Sequence, residues 1–422
     1  MRQLYKKGRI FRDGEFHLSD FLIEDGLIFK VEADVFPDSP DQVFNLGGFF
    51  VFPGFTDLHV HLREPGFLYK ETIRTGSLAA ARGGYTRVCA MPNLQSAPDS
   101  RKTLEPELSA IRRDGRVEIQ PYGALTMGRA GQVPADLEGL APYVCGYSDD
   151  GNGIQSESLM RELMLRVKKL GKFIAAHCED ESLLRGGYIH DGAYAAARGH
   201  RGICAESEWG PIARDLSLVG ETGCRYHVCH ISCLESAALI RKAKAAGLPV
   251  TCETAPHYLL LDDTMLEEDG RWKMNPPLRT PEDREALVEA LAEGVIDCIA
   301  TDHAPHSHQE KSRGLAGSAM GIVGLETAFP MLYTRLVQTG RVSLSRIMDA
   351  LTARPMEILG LRGGRLEPGM PADFSVWRLD AAARIDPDDF RSMGRSTPFA
   401  GQRVTAENHR TVWKGETVWK KT

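Results

Sequence analysis

Length, composition and charge restrict the chain to the globular class and exclude several functions. The chain has 422 residues, of which 42% are hydrophobic and 26% charged, so it can bury a sizeable core. A net charge of −6 and a pI near 6.1 argue against a nucleic-acid surface, and no apolar run is long enough for a bilayer. Nine cysteines without a CxxC pair, and an N-terminus without a signal-peptide core, favour a cytoplasmic protein with reduced thiols.

The first 50 residues predict short β-strands. Apolar and polar residues alternate in LYKKGRIF, RDGEF and DFLIEDGLIFKVE. DG dipeptides, which favour tight turns, separate these segments. The segment is too small for a convincing core of its own.

The middle of the chain alternates predicted strands with predicted helices. Apolar runs that predict strands lie at 50–58, 85–91, 117–125, 143–148, 173–177, 224–230, 248–254 and 295–301. Helical periodicity lies between them, for example in SLMRELMLRVKKLGK and PEDREALVEALAEG. Continuous apolar strands are typical of a parallel sheet covered on both faces. Eight strand–helix units therefore predict an α/β fold, a (β/α)8 TIM-type barrel over residues 53–361.

The C-terminal residues return to the β pattern of the N-terminus. GGRLEPGMPADFSVWRL is followed by RTVWKGETVWK, again with turn residues between the segments. We therefore expect residues 1–52 and 362–422 to form one small β-sandwich domain beside the barrel.

Histidines and aspartates follow several predicted barrel strands at the point where each strand ends. His59 and His61 share a face, because residues i and i+2 of a strand point the same way. Other such residues are Asp149 and Asp150 after strand four, His177 after strand five, His230 after strand six, and Asp302, His303 and His306 after strand eight. The carboxyl ends of barrel strands meet at one rim. Imidazole and carboxylate ligands predict a divalent metal there, zinc first, with manganese, iron or cobalt as substitutes.

The chain resembles the dihydroorotase family of the amidohydrolase superfamily in its bacterial stand-alone form. The motifs that carry the resemblance are HVHLREPG, CAMPN, AHCED, HVCHIS, KMNPPLR and ATDHAPH, in this order, with GRLEPGMPADFSVW near the C-terminus. The resemblance covers essentially the whole chain. It implies the same barrel and terminal β domain. It also implies the reversible, metal-dependent cyclisation of N-carbamoyl-L-aspartate to L-dihydroorotate in pyrimidine synthesis.

The resemblance also assigns roles to individual residues. It implies that His59, His61 and Asp302 hold one zinc ion, that His177 and His230 hold a second, and that Asp150 and a hydroxide bridge them. Asp302 is the implied general acid and base. The implied substrate-binding residues are His61, Arg63, Asn93, Asn275, His306, Met320 and Gly321. The family usually has Phe-Gly where this chain has Met320-Gly321, which puts the packing of that loop in question.

Two alternative functions stay open at this point. The first is another cyclic-amide hydrolase, such as a hydantoinase, dihydropyrimidinase or allantoinase. Those enzymes bridge their metals with a carboxylated lysine after strand four, whereas this chain has no lysine between Lys102 and Lys168. The second is an inactive homologue that acts as a scaffold for aspartate transcarbamoylase, although every expected ligand is present. The resemblance leaves open a homodimer and an association with aspartate transcarbamoylase beside activity.

Three further residues have structural interpretations. His227 is expected to face away from His230, because an odd spacing puts two strand residues on opposite sides. His257, at the end of strand seven, is expected to support the site or the core and not to bind metal. Lys311 is expected to lie on a solvated loop.

Overall fold

The structure, a computed structural model, describes residues 1–37 and 39–421. Positions 38 and 422 of the predicted β domain lie outside the described residues. In chain order the strands are β1 Arg2–Arg12, β2 Glu15–Glu24, β3 Leu27–Glu32, β4 Gln42–Asn45, β5 Phe50–Pro53, β6 Phe55–Val60, β7 Tyr85–Ala90, β8 Glu118–Pro121, β9 Gly123–Ala124, β10 Tyr147–Ser148, β11 Phe173–Ala176, β12 Ile189–His190, β13 Gly202–Ile203, β14 Arg225–Val228, β15 Val250–Thr254, β16 Cys298–Ile299, β17 Phe374–Arg378, β18 Ala383–Arg384, β19 Arg403–Val404, β20 Glu407–Trp413 and β21 Glu416–Lys420.

Helices occupy most of the segments between the barrel strands. The α-helices are α1 Ile73–Arg82, α2 Arg101–Asp114, α3 Leu137–Leu140, α4 Glu157–Lys169, α5 Ala193–Arg198, α6 Glu206–Thr222, α7 Leu234–Ala245, α8 Pro256–Leu260, α9 Pro281–Ala292, α10 His308–Lys311, α11 Gly314–Gly317, α12 Ala328–Leu332, α13 Leu344–Leu351 and α14 Ala353–Ile358. Across residues 1–37 and 39–421, no helix has both the length and the apolar character needed to cross a membrane.

Strands from both ends of the chain form one sheet. Its strand order is β21-β20-β17-β5-β1-β2-β3, and β4 also pairs with β1. The N-terminal and C-terminal parts join where β5 runs antiparallel to β17. Tyr5 stacks on Phe21 with ring centroids 4.8 Å apart and meets Phe374 edge-on at 5.1 Å. The apolar faces of the two ends therefore bury each other.

The middle of the chain forms the barrel. Parallel pairing runs from β6 through β7 to β8, and from β9 through β10, β11, β14 and β15 to β16. β8 and β9 are two pieces of the single strand predicted at 117–125, since β8 pairs with β7 and β9 pairs with β10. A parallel bridge between Val60 and His303 closes the ring. The predicted fold class, a (β/α)8 barrel with a β domain from both termini, is confirmed.

The first predicted strand differs from the structure, because the apolar run 50–58 is divided at Gly54. Residues before Gly54 belong to β5 in the terminal sheet, and residues after it belong to β6 in the barrel. A side chain at Gly54 would place its Cβ 2.1 Å from Thr86 Oγ1. The chain thus passes from one sheet to the other at a point where only glycine fits.

Candidate metal centre and substrate pocket

The predicted site residues converge at the carboxyl ends of the barrel strands. His59 lies in β6, His177 directly follows β11, and Asp302 lies just beyond β16. They surround a cavity of about 240 Å³. Its lining includes the predicted residues His61, Arg63, Asn93, Asp150, His177, His230, Asn275, Asp302, His306, Met320 and Gly321. His59 contacts this set from the wall, with its Nε2 3.2 Å from Asp150 Oδ1.

One cluster of possible ligands consists of His59, His61 and Asp302. His61 Nε2 lies 2.9 Å from Asp302 Oδ1, and His59 Nε2 lies 3.6 Å from the same oxygen. All three side chains are buried. Burial would raise the pKa of Asp302, but the hydrogen bond from His61 and the charge of His59 lower it to about 2. The carboxylate is therefore ionised at neutral pH and can bind a cation or accept a proton.

A second cluster consists of Asp150, His177 and His230. His177 Nδ1 lies 3.0 Å from His230 Nε2, and both nitrogens lie within 3.8 Å of Asp150 Oδ1. Asp150 Oδ1 is also the oxygen that faces His59, so Asp150 stands between the two clusters.

The two aspartates after strand four have different environments. Asp149 accepts hydrogen bonds from the backbone N–H groups of Leu125 and Thr126 at 2.8 and 3.1 Å. Asp149 therefore fixes the loop after β9, and Asp150 alone of this pair lines the cavity.

The donor set fits divalent metal. His59 Nε2 and Asp150 Oδ1, which face each other, are buried polar atoms without a hydrogen-bond partner among the described residues. Such atoms are costly unless something binds them. Ligand atoms in a tetrahedral zinc site, with bonds of about 2.0–2.1 Å, lie about 3.3–3.4 Å from one another. The separations of 2.9–3.8 Å in the two clusters bracket that value.

Two glutamates that the sequence analysis missed orient histidines of the site. Glu253 Oε1 lies 2.8 Å from His59 Nδ1, and Glu179 Oε2 lies 3.5 Å from His177 Nε2. With Nδ1 bonded to Glu253, Nε2 is the nitrogen of His59 that faces Asp150. Carboxylates behind metal-binding histidines fix the tautomer in this way. Glu179 has a weak sequence signal, since it stands two residues after His177, whereas Glu253 looks like an ordinary residue of strand seven.

The predicted orientation of His227 is wrong. Its Nε2 lies 3.1 Å from Glu253 Oε2, and Glu253 in turn contacts His59. His227 and His230 therefore belong to one buried network. The alternation along the strand is interrupted because His230 has a positive φ of 32°.

The same unusual backbone occurs at two other site residues. Arg63 has φ 61° and Asp302 has φ 47°. Left-handed conformations at residues other than glycine cost about 1–3 kcal/mol and cluster at functional sites. Each of these residues comes after a barrel strand, and the left-handed backbone directs its side chain toward the open end of the barrel.

Arg63 and His306 line the same cavity and contact each other, with Arg63 Nη2 3.4 Å from His306 Nε2. Arg63 Nε donates to Pro305 O at 3.2 Å, and burial lowers the pKa of Arg63 to about 10, so it stays cationic. Lys70 Nζ lies 3.3 Å from His306 Nδ1, which must then accept, and His306 Nε2 donates to Met320 O at 2.8 Å. Burial and the charge of Arg63 lower the pKa of His306 to about 3, which keeps the ring neutral.

The amides Asn93 and Asn275 stand on either side of the cavity. Asn93 Oδ1 lies 2.7 Å from His61 Nδ1, so it orients that ring. Asn275 Nδ2 donates to Glu179 Oε1 at 2.8 Å, and its Oδ1 has no partner among the described residues. A bound molecule can therefore use Asn275 Oδ1 as an acceptor.

The Met320-Gly321 segment keeps a defined backbone despite the methionine. Gly321 has φ 129°, and a Cβ there would lie 2.8 Å from Ala304 Cβ, so glycine is required. Met320 packs against the main core, and its carbonyl is held by His306.

His257 lies outside the cavity lining and is buried beside Tyr258, with ring centroids 4.2 Å apart. Burial lowers the pKa of His257 to about 4.

Two family models match the chain. The Dihydro-orotase-like family matches residues 48–236, which carry the histidine pair and the second cluster. The Amidohydrolase family matches residues 213–414, which carry Asp302 and the loop after strand eight.

Similar proteins span the full chain. A dihydroorotase of Bacillus caldolyticus is 46% identical over 99% of this chain and 98% of its own length. A dihydroorotase of Geobacillus kaustophilus (strain HTA426) is 46% identical over 99% and 98% of the two chains. The solved structure of an L-hydantoinase (dihydropyrimidinase) from Arthrobacter aurescens superposes with a TM-score of 0.89 at 26% identity, covering 99% of this chain and 96% of that one. On the identity with full-length relatives and the matching family model, the chain belongs to the dihydroorotase family.

Proposed function

We propose that the protein is a hydrolase of cyclic amides that interconverts L-dihydroorotate and N-carbamoyl-L-aspartate, a step of pyrimidine synthesis. The observation that carries this proposal is one cavity lined both by histidines and aspartates that could bind metal and by an arginine that could bind a carboxylate. Two histidine–aspartate clusters meet at Asp150, and Arg63 lines the same cavity.

The polar residues of the wall bind and orient the substrate. Dihydroorotate carries a carboxylate, and the planar guanidinium of Arg63 provides paired donors for it. Asn93, Asn275 and the Met320-Gly321 backbone place the ring so that its scissile amide faces Asp302. Charge-assisted hydrogen bonds of this kind contribute about 1.5–3 kcal/mol each.

Asp302 moves the proton. In the hydrolytic direction it accepts the proton of the attacking water and then transfers it to the ring nitrogen that leaves. A pKa of about 2 keeps the Asp302 carboxylate ionised at neutral pH. His61, 2.9 Å away, holds the carboxylate in position.

We propose zinc as the metal, with two ions in each subunit. His59, His61 and Asp302 would hold one ion, His177 and His230 the other, and Asp150 would bridge them. A bound divalent metal lowers the pKa of coordinated water toward about 7 and polarises the substrate carbonyl.

The other cyclic-amide hydrolases and the scaffold function fit the chain less well. Asp150, and not a lysine, stands between the two clusters. An inactive scaffold would not need the complete set of proposed ligands, five of which line the cavity while His59 contacts Asp150 behind them.

Parallel assays with L-dihydroorotate, hydantoin and allantoin test the proposed substrate. We expect turnover of L-dihydroorotate to exceed that of the other two compounds by at least about a hundredfold in kcat/KM, because only dihydroorotate presents a carboxylate to Arg63. Faster turnover of hydantoin or allantoin would contradict the proposal.

Arg63→Met is expected to raise KM for dihydroorotate at least about tenfold while metal content stays unchanged, because Arg63 binds the carboxylate and contacts no predicted ligand. Steady-state kinetics and elemental analysis measure the two effects. Arg346→Met is the control, since Arg346 donates to Leu291 O at 2.8 Å away from the cavity. Loss of metal in Arg63→Met would instead give Arg63 a structural role.

We also propose the domain boundaries 1–52 with 362–422, and 53–361. Support comes from β5, which ends at Pro53 in the terminal sheet, and from α14, which ends at Ile358 before the chain returns to that sheet.

A cytoplasmic location is proposed from the nine free cysteines. A homodimer and an association with aspartate transcarbamoylase are the assemblies to test by size-exclusion chromatography and co-purification.

A further inference from the structure

Lys311 is buried, although its sequence predicted a solvated loop. It ends α10 and is only 7% exposed. Its ammonium group donates to three backbone carbonyls, those of Lys273 at 3.0 Å, Ala319 at 2.8 Å and Gly321 at 2.7 Å. Three donors therefore meet three acceptors, which compensates for the burial of the charge.

These carbonyls belong to two segments that face the cavity. Lys273 precedes Asn275, and Ala319 precedes Met320 and Gly321. The segments also contact each other directly, since Gly321 N–H donates to Lys273 O at 3.0 Å. Lys311 thus stands at the junction of two cavity walls that come from distant parts of the chain.

A second buried lysine, Lys273, bonds to α11, which precedes the Ala319–Gly321 segment. Lys273 Nζ donates to Ala316 O at 2.9 Å and lies 4.8 Å from the centre of the Tyr188 ring. Lys273 is bonded to one carbonyl, whereas Lys311 holds three. Lys311 therefore holds the Met320-Gly321 backbone together with His306, which bonds the Met320 carbonyl, and with the Gly321 N–H bond to Lys273 O.

We propose that Lys311 is a positioning residue for substrate binding, whose ammonium group holds the Met320-Gly321 backbone against the Asn275 segment. The inference rests on the proposed function in one respect, that both segments contact the substrate. Without the ammonium group the carbonyls of Ala319 and Gly321 would lose their donor, Lys273 O would keep only the Gly321 N–H, and the two walls would separate or admit water. Binding would weaken, while the proposed metal ligands, with which the Lys311 ammonium group makes no hydrogen bond, would stay in place.

The charge state of Lys311 links this contact to pH. Burial and the nearby charge of Lys273 lower the pKa of Lys311 to about 7, against the opposing effects of Asp269 and Glu310. Ionisable groups around it are Asp269, Arg271, Lys273, His306, His308, Glu310 and Arg395. The cationic form predominates below that pKa and is lost as pH rises through it.

KM of the unmodified enzyme should therefore rise from about pH 6 to about pH 8.5, a range in which neither Arg63 nor His306 titrates.

The experiment compares three variants with the unmodified enzyme. For each protein, KM and kcat for L-dihydroorotate are measured across this pH range, and metal content and thermal unfolding are measured as well. Lys311→Met should raise KM at least about tenfold at about pH 6, change kcat less, and keep the bound metal. Lys311→Arg keeps a cation at every pH used, so its KM should stay closer to that of the unmodified enzyme and lose the rise with pH. Lys172→Met is the control, because Lys172 Nζ donates to Val144 O at 2.7 Å at the opposite end of the barrel.

The outcomes separate this inference from the proposed function. An unmodified enzyme that does not turn over dihydroorotate contradicts the proposed function. An active enzyme whose KM is the same in Lys311→Met, or is independent of pH, overturns the role of Lys311. If Lys311→Met does not fold, the pH dependence of KM in the unmodified enzyme and in Lys311→Arg still decides the matter.

Discussion

Replacing Asp302 with asparagine is expected to lower kcat at least about a hundredfold with the fold retained, because a carboxamide cannot accept and return a proton. The side chain is nearly isosteric, so the contact with His61 Nε2 at 2.9 Å can persist. The backbone at this position is held independently, since Asp57 accepts from Thr301 N–H at 3.1 Å and from Thr301 Oγ1 at 2.6 Å.

The measurement combines kcat with metal content, since Asp302 is also a proposed ligand. A loss of rate at full metal occupancy assigns the loss to proton transfer. His303 is the obvious substitute for the proton acceptor, but its Nδ1 accepts from Gly324 N–H at 3.2 Å and its Nε2 lies 3.4 Å from Glu71 Oε2, away from the cavity. Near-normal kcat in Asp302→Asn would mean that another group transfers the proton.

Replacing Asp150 with alanine is expected to empty the second metal position before the first. His177 and His230 would be left as a pair, whereas His59, His61 and Asp302 would remain as a set of three. Catalytic zinc sites usually have three protein ligands, so the position with two histidines should bind more weakly. Activity should fall at least about a hundredfold, because the metals would no longer be bridged. Elemental analysis during stepwise zinc addition measures both occupancies.

Reconstitution without carbonate tests the same residue in the unmodified protein. A carboxylated lysine forms by reaction with carbon dioxide, whereas an aspartate needs no such step. We expect a chelator to remove activity, and zinc in carbonate-free buffer to restore it as fully as zinc with bicarbonate. Asp149→Ala is the control for Asp150→Ala, because Asp149 holds the loop at Leu125 and should change thermal stability more than metal occupancy. Two full metals in Asp150→Ala, or a requirement for bicarbonate, would place the bridge elsewhere.

The sequence alone determined the fold class and predicted which polar residues lie together at one end of the barrel. Strand periodicity is local, since the period of two in β6 puts His59 and His61 on one side whatever the rest of the chain does. Continuous apolar runs alternating with helices predict a barrel because few folds bury such strands on both faces. In a barrel the strand ends must meet, so His177, His230 and Asp302 could be placed together without coordinates.

Only the tertiary structure decided how these residues are supported. Glu253 and Lys311 look like an ordinary strand residue and an ordinary loop residue, and their roles come from partners far away in sequence, His59 and Gly321. Strand alternation failed at His230, where a positive φ reverses the chain. The apolar run at 50–58 is divided at Gly54 because Thr86 of another strand approaches too closely for a side chain. Sequence patterns record which side of an element is apolar, but burial, charge compensation and close approach depend on residues that folding brings together.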